Sequence, residues 1–263
     1  MKKEKSATIY YQNELEDEFS KTEIKTKEVG LDYKYLHKNI FYRMMSFFWY
    51  RIIATPIAFI YPKVKFHHKV ANKKLLKKYK KTGYFLYGNH TQDIADAFIP
   101  NILTFPKKIY VIVHANNVSM PILGKITPHL GALPIPTDLN AFRNFSNAIE
   151  RRILENHCVL VYPEAHIWPY YTKIRSFKPS SFGYPIKYDV PAFCFTNTYK
   201  KRKRGKKVQI VTYLDGPFYA DKNLTGVKQK EDLRNKIYNA MVVRSKESNY
   251  EYIRYFKKEE DND

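Results

Sequence analysis

The chain has 263 residues, 44% hydrophobic and 16% aromatic, and carries 46 Lys and Arg against 25 Asp and Glu, a formal net charge of +21. That hydrophobic content excludes global disorder and suffices for one sizeable core. The charge favours an anionic partner (nucleic acid, a membrane surface, or a phosphorylated or CoA-like substrate) without choosing among them.

Residues 1–38 are polar and mixed in charge and read as a loosely packed arm. No apolar stretch follows the charged start Met1-Lys2-Lys3-Glu4-Lys5, so no secretory signal is read there. Residues 41–61, FYRMMSFFWYRIIATPIAFIY, are dense in aromatics, but Arg43 and Arg51 interrupt them and Pro56 is expected to break them. A membrane span needs about 20 apolar residues with few charges. The segment reads better as a helix-break-helix lying in the membrane interface, where aromatic rings and arginine stems suit a half-wet boundary. Lysines follow at Lys63, Lys65, Lys69 and Lys73, each worth about 1 kcal/mol near an anionic leaflet.

From residue 83 the pattern alternates. Strands are predicted at 84–87, 108–114, 132–135, 158–162, 190–197 and 208–214, and helices at 95–103, 139–156 and 230–241. This alternation argues for an α/β fold: a mixed, largely parallel central sheet covered by helices, with the aromatic membrane-associating helical segment before it. The chain divides into a polar arm (1–38), the membrane-associating segment and basic linker (39–82), an α/β domain (83–256) and a charged tail (257–263). The basic run YKKRKRGKK at 199–207 reads as a charged hairpin loop. Cys158 and Cys194 have no paired spacing, giving neither a disulfide framework nor a zinc motif, and read as buried inert thiols in a reducing cytoplasm.

Three stretches carry chemistry. Gly88-Asn89-His90-Thr91-Gln92-Asp93-Ile94-Ala95-Asp96 follows the first strand, where an open α/β sheet presents its site. Histidine is the usual general base near neutral pH, and a carboxylate can fix its tautomer. The alternative is a helix start capped by Asn89 with acidic residues in its first turn. Next, Tyr162-Pro163-Glu164-Ala165-His166 again puts a carboxylate and an imidazole past a strand end. Finally, Arg175-Ser176-Phe177-Lys178-Pro179-Ser180-Ser181 sets cations and small polar residues before a helix, a pattern suited to phosphate.

The order of these pieces resembles the glycerophospholipid acyltransferase family, which includes the 1-acylglycerol-3-phosphate acyltransferases. Its Asn-His-x4-Asp block is matched by Asn89, His90 and a nearby Asp; its Gly-x-Ile-x-Ile-Asp-Arg block by Gly131–Thr137. Its Phe-Pro-Glu-Gly-Thr-Arg-Ser block is matched by 162–168, its Phe-Lys-Pro-Gly element by 177–180, and its Val-Pro strand by Val190-Pro191. The resemblance covers roughly residues 41–214. It implies acyl transfer from an acyl-CoA or acyl carrier protein co-substrate to a lysophospholipid, most of all 1-acylglycerol-3-phosphate. It implies no metal or cofactor, and work at the cytoplasmic face as a peripheral or monotopic protein on an anionic membrane surface. Nucleic acid is not an expected partner.

The departures matter. Asp93 and Asp96 lie three and six residues after His90, neither at the family's five. Asp96 is favoured because Ala97-Phe98-Ile99 continue it as the family's apolar run does, and Asp93 is the competitor. Positions six apart do not share a helix face, so pairing with Asp96 requires an irregular turn at 91–95. Thr137 and Ile167 replace two family arginines associated with the acceptor's phosphate, leaving His166, Arg143, Arg175 and Lys178 as substitutes. In this reading His90 deprotonates the acceptor hydroxyl, Asp96 orients it, and Asn89 and Glu164 shape the acceptor site. Two other readings stand beside it: a metal-dependent hydrolase using His90, Asp93, Asp96, Glu164 and His166, and a basic protein binding nucleic acid through residues 201–207.

Overall fold

The computed structural model describes residues 7–19, 25–202 and 207–258. The N-terminal half runs β1 (Ala7–Tyr11), α1 (Ile40–Phe47), a π-helical stretch Phe48–Ala54, α2 (Thr55–Phe66), β2 (Lys69–Ala71), a 3₁₀ stretch Lys73–Tyr79, and β3 (Tyr84–Gly88). Next come α3 (Ala95–Thr104), β4 (Ile109–Val113), α4 (Asn116–Ser119), α5 (Leu123–Ile126), β5 (Ala132–Pro134), α6 (Phe142–Leu154) and β6 (Cys158–Val161). The chain closes with α7 (Gly183–Lys187), β7 (Ala192–Lys201), β8 (Val208–Phe218), α8 (Gly226–Ser245) and β9 (Ile253–Lys257).

The fold is α/β. Seven strands form the central sheet in the order β2-β8-β7-β3-β6-β4-β5. All neighbours are parallel except β7 and β8, which form an antiparallel hairpin. Strands buried on both faces read as continuous apolar runs, and β3 is buried along its whole length. Its side chains alternate: Phe85 and Tyr87 join α6 and α8 through Phe145, Ile149, Leu233 and Ile237, while Tyr84 and Leu86 face Ile99 and Leu103 of α3 and Phe66 of α2. Gly83 stands where the chain enters β3 against the end of α6. A Cβ there would lie 2.3 Å from the Ile153 carbonyl oxygen, so only glycine fits.

Two expectations need correction. In its described residues the arm is anchored to the body. β1 pairs in parallel with β9, joining residues 7–11 to 253–257, and Val29 and Tyr35 are buried in the core beside Phe145. A few apolar anchors in a polar stretch suffice, because the partners lie far away in sequence. β9 takes in Lys257, the first residue of the charged tail, and 259–263 lie outside the described residues.

The aromatic segment is also unbroken: Ile40–Phe66 is one helical run of 27 residues. Proline lacks an N–H and its ring crowds the preceding turn. Here the π-helical stretch just before Pro56 widens that turn, and Tyr50 O accepts from the Thr55 amide and, at 2.7 Å, from Thr55 Oγ1. By length and composition this helix could cross a membrane. It is nonetheless docked along the body. Tyr50, Thr55, Ala58, Pro62 and Phe66 form its buried stripe, and the Tyr50 hydroxyl accepts the Ile109 amide at 3.0 Å. The 199–207 run does join β7 to β8 as a hairpin, with 203–206 outside the described residues.

Replacing Gly83 by Ala should lower stability by about 1–3 kcal/mol, since the added methyl must displace backbone. Chemical denaturation checks this, and an unchanged midpoint would contradict the close approach.

Candidate active site

The site lies at the carboxyl ends of β3 and β6, the central strands of the sheet. Asn89 leaves β3 with its side chain turned onto β7: Oδ1 accepts the Asn197 amide at 2.8 Å and Nδ2 donates to the Asn197 carbonyl at 3.0 Å. Thus Asn89 extends the sheet by one side-chain rung and fixes where His90 begins.

Residues 91–94 form no regular helix, and α3 starts at Ala95. That irregular turn carries the Asp96 carboxylate back beneath His90. Asp96 Oδ2 lies 2.9 Å from His90 Nδ1 and accepts the Thr91 and Gln92 amides at 2.8 and 2.9 Å. Oδ1 accepts from Asn197 Nδ2 at 3.2 Å. A carboxylate receiving these bonds has no proton to give, so Nδ1 is the donor, and in the neutral ring Nε2 keeps the lone pair. The His90 ring stacks on Tyr162 at 4.2 Å, and its side chain is 18% exposed against 2% for Asp96. Asp93, the competitor, points to solvent; desolvation and the Asp96 charge push its carboxyl up.

Glu164 at the end of β6 is buried beneath the same loop. It accepts the His90 amide at 2.9 Å through Oε2 and the Arg175 amide at 3.0 Å through Oε1. Burial pushes its carboxyl up, and Arg175 and the two amides oppose that shift. Arg175 is wholly buried, 3.5 Å from Glu164, over the Trp168 ring at 4.8 Å, and bonded to the carbonyls of Glu14 and His166. It is therefore a clamp on the loop and not a cation facing an acceptor phosphate, which corrects that expectation. His166 turns outward to Glu18 at 2.9 Å. Arg143 and Lys178 are exposed, and no described hydrogen bond or ion pair links them to His90. Among the described residues no three His, Cys, Asp or Glu side chains converge as a metal site.

Described residues toward both ends of the chain close over this loop. Trp168 Nε1 donates to the Asp17 carbonyl at 2.8 Å, its ring stacks on Tyr255 of β9 at 5.1 Å, and the Tyr255 hydroxyl donates to the Pro169 carbonyl. Their approach follows from the β1–β9 pairing, which sequence reading did not anticipate. Lys65, read from sequence only as one of the membrane-facing lysines, sits in the last turn of α2, and its charge acts on Asp93.

A family model described as Acyltransferase matches residues 64–196, a little over half of the chain. No curated protein matches significantly. Among solved structures the chain is similar to the 1-acyl-sn-glycerophosphate (LPA) acyltransferase PlsC of Thermotoga maritima. The two are 17% identical over 81% of this chain and 84% of that one, with a TM-score of 0.49.

Behind Asp96 a buried polar chain continues that the sequence reading did not include. Asn197 Oδ1 accepts from the Thr212 hydroxyl at 2.6 Å, and Thr212 Oγ1 in turn lies 2.8 Å from His68 Nε2. The signal was Thr212 itself, a polar residue at an inward place in the alternation Val208, Ile210, Thr212, Leu214. With the hydroxyl hydrogen committed to Asn197, His68 must donate from Nε2. Burial, then the Lys73 charge, lowers the His68 pKa to about 4. Its folded pKa lies below the unfolded value, so the unfolded chain binds the proton first and stability falls as pH drops from 6.5 to about 4. The loss attributable to this group is at most about 3 kcal/mol. His68→Gln should flatten the pH dependence of the denaturation midpoint across that window. A wild-type midpoint that is level there would contradict a buried neutral His68.

Proposed function

The chain belongs to the acyltransferase family, and on that premise we propose that it transfers a fatty acyl group from an acyl thioester to a hydroxyl of a lysophospholipid, with 1-acylglycerol-3-phosphate the first acceptor to test. The observation that carries the reading is the 2.9 Å bond from His90 Nδ1 to Asp96 with Nε2 left free. As the acceptor hydroxyl oxygen attacks the thioester carbonyl carbon, its proton passes to Nε2. Asp96 offsets the positive charge on the ring. The tetrahedral intermediate then expels the thiolate, and the imidazolium returns the proton to sulfur, so His90 ends as it began. Asn89, Glu164 and Arg175 act by position: they hold the backbone of His90 and the loop after β6. Acyl-CoA or acyl carrier protein supplies the acyl group. For the acceptor's phosphate, Lys65, whose charge acts on Asp93, is the first cation to test, and the His166 imidazole beside Glu18 is the second group.

Membrane association is part of the proposal. Opposite its buried stripe, the Ile40–Phe66 helix presents Ile40, Phe41, Met44, Phe47, Ile60 and Val64, each more than 60% exposed. Because the helix is docked lengthwise on a polar-surfaced domain, it fits a position in the interface of an anionic bilayer, at the cytoplasmic face, better than a crossing.

His90→Ala should lower kcat/KM for acyl transfer by about 10²–10⁴-fold and leave the protein folded, with some stability lost because Asp96 gives up a donor. An active His90→Ala protein would sink the mechanism. Phe41→Ser combined with Phe47→Ser should weaken binding to anionic vesicles by at least roughly tenfold, each ring contributing about 1.5–3 kcal/mol when buried. Unaltered vesicle sedimentation would remove the helix from that role.

A further inference from the structure

The opposite edge of the sheet holds a second site. Lys108 and His157 immediately precede β4 and β6, so they stand at the amino ends of strands whose carboxyl ends face the His90 region. Strands of four to five residues put the two edges roughly 15 Å apart. Between this edge and α1 lies a cavity of about 880 Å³, lined by Arg43, Arg51, Lys108, Arg151 and Arg152 among others. Glu155 is the one carboxylate among its described lining residues, and Arg151 and Arg152 already pair with it. A smaller cleft of about 320 Å³ shares Arg51, Lys108, Glu155 and His157 and adds further lysines.

Beyond the single carboxylate, two of the cations lie over aromatic faces. Arg152 lies 4.4 Å from the Tyr110 ring centre, and Lys108 lies 5.1 Å from the same ring and 4.9 Å from Tyr50. Such contacts fix a cation without neutralising it or using its N–H donors. Donors are indeed left over: Arg51 Nη1 and Arg152 Nε are buried and have no hydrogen-bond partner. A buried donor left unmet is costly. A phosphate group brings the charge and the acceptor oxygens that this cavity lacks. The Lys108 pKa is lowered to about 8, first by burial and then by Arg152 and Arg51, as in a cationic site without its anion.

We propose that this cavity at the amino edge of the sheet binds a phosphate group, and that the phosphate is the headgroup of an anionic phospholipid. Its rim includes Arg43 and Phe47 of α1, beside the exposed Met44. A lipid lying along that helix brings its acyl chains to the apolar face and its headgroup to the cations. The source of the phosphate rests on the membrane half of the proposed function; the site does not rest on acyl transfer. It is distinct from the acceptor position, because no group at this edge reaches His90.

The test uses the full chain with phosphatidylcholine vesicles containing or lacking phosphatidic acid, and with inorganic phosphate alone. Arg43 is exposed and lies outside the packing, so Arg43→Gln guards against misfolding of the variants at the half-buried positions, Lys108→Gln and Arg152→Gln. Each should weaken binding to phosphatidic acid vesicles roughly fivefold and leave binding to pure phosphatidylcholine, and acyl transfer to a detergent-dispersed acceptor, unchanged. Inorganic phosphate should protect Lys108 from amine-reactive labelling. Protection by phosphate with no change on any vesicle would overturn the lipid as the source. Loss of neither vesicle binding nor labelling would overturn the site. A wild-type chain that sediments with no vesicle would count against the membrane reading alone, and the labelling result would then decide the site.

Discussion

The arrangement turns on one buried carboxylate. Asp96 receives N–H groups from the His90 ring, from the Thr91 and Gln92 backbone and from the Asn197 side chain. The two amide bonds shape the turn between β3 and α3. The ring bond fixes the tautomer of His90, and the Asn197 bond ties the turn to β7. A charge this deep is tolerated only when it is met by donors, so the same contacts that make Asp96 affordable also orient His90. Glu164 repeats the device one strand over, holding the His90 amide from the other side with Arg175 as its counter-charge.

Sheet polarity then divides the labour. The carboxyl edge gathers a histidine with a free nitrogen and groups that hold it still. The amino edge gathers cations on aromatic walls beside the helix whose exposed face is apolar. Docking that helix along the body, with Tyr50 and Phe66 in the core, makes the apolar surface part of the domain and not an appendage. On the proposed membrane contact and headgroup capture, that helix would set how the His90 cluster faces a lipid acceptor.

Much of the fold was legible because parallel strands covered on both faces leave unmistakable apolar runs, as at 84–87 and 158–161. The loops bearing His90 and Glu164 were legible as polar residues directly past those runs. Long-range pairing was not. β1 and β9 are short, partly exposed strands from opposite ends of the chain, and nothing local announces that they meet. The continuity of the Ile40–Phe66 helix was hidden because a proline normally ends a helix, and the π-helical turn that accommodates Pro56 has no sequence signature. Arg175 looked like a phosphate ligand because its neighbours are small and polar; only the packing of Trp168 and Glu164 around it shows it enclosed. From sequence, Asn197 and Thr212 read only as strand residues, since an inward polar group acquires meaning once its partner is known.

The most direct test of this account is the protonation state of the His90 ring, read by nitrogen NMR on histidine-labelled protein at neutral pH, with His90→Gln assigning the signal. The account predicts a neutral ring protonated at Nδ1 and bare at Nε2, with that preference lost in Asp96→Asn. A neutral ring protonated at Nε2 would turn its lone pair onto Asp96, away from the acceptor's proton, and would contradict it.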